Sequence, residues 1–156
     1  MSPNMPKPNV YSTREDSHNP ASNIKLAIIP RQEPVLKIPG HDWGEAFSMV
    51  FDFLGNNVMA PAGIITVPWL RPGPSWKGTW LFDNAFHSRI WSLCNPDFAR
   101  EALDTCLGFQ VTGDPDDEKN FGRIPHSITP NGFGPWAAPP LVEYAYWELF
   151  KKNGSI

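Results

Sequence analysis

Cysteine is scarce in this chain of 156 residues: Cys94 and Cys106 stand alone, with no C-x-x-C pair and no second cluster. That pattern points to neither a zinc site nor a disulfide framework, and both thiols are expected as small apolar residues on helices. Basic residues are few and scattered, 13 Lys and Arg against 16 Asp and Glu for a net charge of -3. Phosphate binding needs a clustered basic face, so no nucleic-acid partner is expected. No stretch approaches the ~18 apolar residues of a membrane span, and the opening MSPNMPKPNVYSTREDSHNP lacks the apolar core of a secretion signal. A cytoplasmic protein with no membrane partner is the expectation.

The chain is rich in aromatics and proline, with 7 Trp, 10 Phe and 18 Pro, and 41% hydrophobic residues make a packed core feasible. Residues 1–38, rich in Pro, Ser and Asn, are expected as an extended or disordered arm, with one short apolar run at Ile24 to Pro30. From residue 39 onward the pattern is helical. Trp43, Phe47, Val50, Phe51 and Leu54 share one face of a first helix. Residues 59–77 carry Pro61, Pro68, Pro72 and Pro74 and are expected as a loop, with a short strand possible only at Ile64 to Val67. A second helix is expected from about Asp83 with Phe86, Ile90, Leu93 and Cys94 inward, and a third after Asn95-Pro96 with Ala99, Ala102, Leu103, Cys106, Leu107 and Gln110 inward. Residues 111–135 are expected as a second long loop with a solvated acidic tip, DPDDEK. A last helix follows Pro139-Pro140, with Leu141, Val142, Ala145, Leu149 and Phe150 inward and Gly154 as its stop. Alternating long and short links between helices predict an all-α array of antiparallel hairpins.

The stretch PWLRPGPSWKGTWLFDNAFH, Pro68 to His87, places Trp69, Trp76 and Trp80 around a Pro-Gly loop and ahead of Asp83 in a helix first turn. A pyranose has apolar C–H faces that stack on indole and hydroxyls that donate to carboxylate oxygens, so this combination suits sugar binding. His87 follows Asp83 at i+4, where the two can pair on one helix face or His87 can simply pack. His126 ends a glycine loop, where a ring can face a ligand. Two histidines without a third ligand at suitable spacing leave no metal site, and no cofactor is expected.

Trp80-Leu81-Phe82-Asp83 resembles the W-x-W-D segment of the six-hairpin glycosidases, most closely the family 63 glycoside hydrolases that include mannosylglycerate and glucosylglycerate hydrolases; trehalases carry a similar loop. The resemblance continues through FDNAFHSRIWSLCNPDFAREALDTCLGFQ (82–110), GRIPH (122–126) and APP (138–140), in the order and spacing of that family. It implies a partial (α/α)6 toroid over residues 39–156 that carries part of a subsite for an α-glucosyl or α-mannosyl substrate, which the full-length family hydrolyses with inversion. Trp80, Asp83 and His126 match positions the family uses for substrate; Phe82, Trp76 and Trp136 are candidate walls. Phe82 replaces the second tryptophan and loses its N–H donor. Ala138 replaces a glutamine before the two prolines.

Inverting hydrolysis requires two carboxyl groups roughly 6.5 to 9.5 Å apart. Asp83 is the acidic residue with a clearly aromatic context; Glu143 and Glu148 are expected at the surface. In the resembling enzymes the general acid and base lie farther along than this sequence extends, so no catalytic residue is assigned and a complementary chain completing the barrel is a possible partner besides a small sugar or glycoside. A noncatalytic carbohydrate-binding module and a helical interaction protein are the rival expectations.

Overall fold

The computed structural model describes residues 27, 29, 34–113, 116, 119–137 and 139–154. Most of the expected arm and of the DPDDEK tip lies outside the described residues. Ala27 donates its N–H to the Val58 carbonyl at 3.1 Å, and Ala27 and Ile29 pack against the core.

Four helices occur among the described residues: α1 (Gly44–Gly55), α2 (Leu81–Trp91), α3 (Pro96–Leu107) and α4 (Val142–Asn153). The local chemistry of α3 explains its start. The Asn95 side chain accepts from the Phe98 N–H at 2.9 Å, and Pro96 takes a first-turn position where no N–H is required. Ala99, Ala102, Leu103 and Cys106 are buried as their spacing predicts, whereas Gln110 lies past the helix end and donates to the Gly122 carbonyl at 2.8 Å. Gly154 ends α4 with φ of 71°, a left-handed conformation that glycine adopts without a Cβ clash.

The other helices present different faces from those expected. On α2 the buried residues are Leu81, Asn84, Ala85, Ser88 and Trp91, while Phe86 and Leu93 are 45% and 48% exposed. Small side chains at 84, 85 and 88 let α3 approach closely, and the Asn84 amide finds acceptors there, the Ala102 carbonyl at 3.2 Å and Cys106 Sγ at 3.1 Å. Steric fit and a satisfied amide outweigh side-chain hydropathy. On α1, Phe51 and Leu54 are buried and Phe47 half-buried, but Trp43 and Val50 face solvent; on α4, Phe150 does too. Cys94 follows α2 in the link rather than lying on a helix, and both cysteines are buried and unbridged. Burial pushes the Cys106 thiol up to about 11, which keeps it protonated and inert.

The expectation of an all-α chain, and with it of a partial (α/α)6 toroid, is overturned by two small antiparallel sheets. β1 (Val58–Met59) pairs with β2 (Trp69–Leu70); β3 (Thr79–Trp80), β4 (Ser127–Thr129) and β5 (Gly132–Phe133) form a sheet in the order β3-β4-β5. The fold is mixed α/β. All five strands come from the long links between α1 and α2 and between α3 and α4, whose backbone N–H and C=O groups need partners where the chain runs against the core and find them in pairing. Strands of two or three residues carry no readable period of two, so they leave no pattern in the sequence. Ile64 to Val67 is not a strand. Ala62 and Ile65 close a turn by bridging each other, and Ile65 enters the core.

Candidate functional site

Trp80 stands at a junction, as the last residue of β3 and the residue that caps α2. Its register partner in β4 is Ser127, so the sheet sets Trp80 beside the neighbouring His126 even though more than forty residues separate them in sequence. The Leu81 N–H donates to the His126 carbonyl at 2.9 Å and fixes that approach. The Trp80 and His126 rings meet edge to face, with centroids 5.0 Å apart and planes at 77°. Trp76 also meets Trp80, at 4.9 Å and 77°. Both distances lie in the range where edge-to-face aromatic pairs attract. The result is a row, Trp76–Trp80–His126, with Trp80 and His126 half-buried and Trp76 50% exposed.

His126 is held from behind. Its backbone N–H donates to the Trp136 carbonyl at 2.8 Å, and its ring Nδ1 lies 3.1 Å from the same oxygen. A carbonyl only accepts, so this contact places the ring hydrogen on Nδ1 and leaves Nε2 as an acceptor, 3.4 Å from the Ser127 hydroxyl. Gly134 closes against the same ring. A Cβ there would lie 2.7 Å from Ser127 Oγ and 2.8 Å from His126 Cε1, so the close approach requires glycine. Arg123 braces the hairpin by donating from Nη1 to the Gly134 carbonyl at 2.9 Å.

The remaining candidates are placed differently. The ring of Trp136 is 72% exposed, and its link to the row is the backbone carbonyl. Asp83 occupies the first turn of α2, half-buried, where a carboxylate complements the helix dipole. It acts electrostatically on His87, one turn later: burial holds the His87 pKa below its ordinary value, and Asp83 opposes that shift. His87 Nδ1 is buried without a hydrogen-bond partner among the described residues. Phe82 is exposed and packs its ring on Phe86 at 5.1 Å, on the solvent side of α2. The structure therefore joins Trp76, Trp80 and His126 directly, adds Trp136 through its backbone, attaches Asp83 through α2, and sets Phe82 on an outward face.

Sequence reasoning missed Ser127, Gly134 and Arg123 as supports of the site. The available signal was Pro130-Asn131-Gly132, turn residues between two short runs, which is hairpin chemistry. A groove of about 600 Å3 lies between α2 and α4, and none of Trp76, Trp80 or His126 lines it. The aromatic row is a platform at the surface. No helix of the described residues is long and apolar enough to cross a membrane. No protein-family model and no curated protein matches this sequence.

Proposed function

We propose that this chain binds a glycoside, a glucosyl or mannosyl residue being the favoured ring, on the Trp76–Trp80–His126 row, in keeping with its resemblance to glycoside hydrolases. The row itself carries the reading: an exposed indole stacks on a sugar C–H face, while Nε2 of His126 exchanges its long 3.4 Å contact with the Ser127 hydroxyl for a sugar hydroxyl. The hydrogen-bond partners of the His126 ring are a carbonyl and a hydroxyl, and Asp83, in the first turn of the helix that Trp80 precedes, is the acidic candidate. One carboxylate holds a sugar but does not supply the acid and base pair of inversion, so the function proposed for these residues is binding without turnover. A complementary chain supplying the pair would turn binding into hydrolysis.

The test is a calorimetric and tryptophan-fluorescence titration with glucose, mannose, glucosylglycerate and mannosylglycerate. Wild type is expected to bind, and Trp80→Ala to lose most of the affinity. Indistinguishable titrations for folded wild type and Trp80→Ala would remove the site, and sugar release abolished by Asp83→Asn would show turnover instead. A purely structural role for tryptophan is favoured at Trp69 and Trp91, each 1% exposed in the core. It does not account for Trp76.

A further inference from the structure

Two surfaces away from the aromatic row are apolar and lack cover among the described residues. Ala46, Met49, Val50 and Phe53 recur at i, i+3, i+4 and i+7 of α1 and are all exposed, Met49 by 63%. This stripe lies beside the face that carries Phe51 and Leu54 into the core, so α1 is apolar on both. The second surface is the groove of about 600 Å3 between the C-terminal ends of α2 and α4, with Phe86, Ile90 and Leu93 on its walls.

Their charges are opposite. From Ile38 to Leu70 the chain contains no Lys or Arg, and Glu45 stands one turn before Met49 on the edge of the stripe, with Asp42 just ahead of the helix. The groove carries Arg89, Lys151 and Lys152 against a single carboxylate, Glu148, which lies 2.6 Å from Lys151 and 3.9 Å from Arg89. Three cations less one carboxylate leave an excess of two positive charges. Stripe on stripe would bring acids together, and groove on groove would bring cations together. Complementary charge is reached only when the stripe of one copy enters the groove of another, which is the helix-in-groove mode with anchors at i, i+3, i+4 and i+7.

We propose that the chain associates with itself head to tail, α1 of one copy seated in the α2–α4 groove of the next. Such a contact is heterologous, using different patches on the two partners. Analytical ultracentrifugation over a concentration series tests it. The weight-average mass of wild type should rise above 17.5 kDa with concentration and fall back as salt is added, because screening weakens the charge pairing. Met49→Lys/Phe53→Lys should abolish the rise by spoiling the stripe, and Arg89→Glu/Lys151→Glu should abolish it by spoiling the groove. All four positions are exposed, so helix content and cooperative melting should survive.

An equimolar mixture of the two variants should form a one-to-one complex and nothing larger, since it retains one intact stripe and one intact groove. Wild type that stays at the monomer mass throughout the series overturns the proposal without reference to any variant. So does a folded variant that associates as wild type does, or a mixture of folded variants that remains monomeric.

Discussion

The Asn84 amide donates to the Thr79 hydroxyl at 2.6 Å, a buried bond that ties α2 to the strand residue preceding Trp80. The same amide faces α3 through the Ala102 carbonyl and the Cys106 thiol, so one side chain sets the helix pair and the entry of the aromatic row. Asn84→Ala should cost about 1–3 kcal/mol, because it leaves buried acceptors unpaired and opens a small void. Urea unfolding checks this. A loss below a few tenths of a kcal/mol would show that the cluster contributes little.

Gly63 is a second fixed point. Its φ is 54°, and a Cβ added there would meet the Pro130 carbonyl oxygen at 1.9 Å, where the turn before β2 docks on the β4–β5 turn through the Ile64 N–H at 2.9 Å. Gly63→Ala should lower the melting temperature by several degrees, through both backbone strain and the forced retreat of that turn. Gly40→Ala is the control. Its φ of 78° carries the strain alone, with nothing within 4 Å of the added Cβ, so its cost should be smaller. Equal effects would argue against the clash.

His87 makes stability depend on pH. Burial lowers its pKa in the folded chain below the ordinary 6.5, so the unfolded chain binds the proton more readily. Stability should therefore be full above about pH 7 and fall as pH drops through ~6.5 toward the folded-state value. His87→Gln should flatten that part of the pH profile in urea titrations. An unchanged slope between pH 7.5 and pH 5 would exclude His87 as the source.

Trp80 and Trp147 should separate binding from folding in one experiment. Trp80→Ala should weaken sugar binding by about 1–3 kcal/mol if stacking dominates, by analogy with bases stacked on aromatic side chains. Trp147 is 54% exposed and stacks on Phe150 at 5.7 Å, so Trp147→Ala should change stability by no more than about 0.5 kcal/mol and leave affinity unaltered. A loss of affinity in Trp147→Ala would move the binding surface to α4.

Elements whose causes are local were legible in the chain. The α3 start follows from Asn95 and Pro96, its inner face from Ala99, Ala102, Leu103 and Cys106, and the α4 stop from Gly154, because caps, proline and a period of 3.6 act over a few residues. The order of four helices and the position of the two long loops followed as well. Tertiary structure decided the rest. Which face of α2 turns inward depended on the close approach of α3, so polar Asn84 and Ser88 went in while Phe86 and Leu93 stayed out. The pairing of β3 with β4 formed because the two loops lie against each other, a partnership that no short window of sequence encodes, whereas β1–β2 and β4–β5 each pair within one loop. Trp76 and Trp80 could be singled out from the chain, as could His126, but their meeting rests on the register of Trp80 with Ser127, a contact between distant segments that only the folded core brings into range.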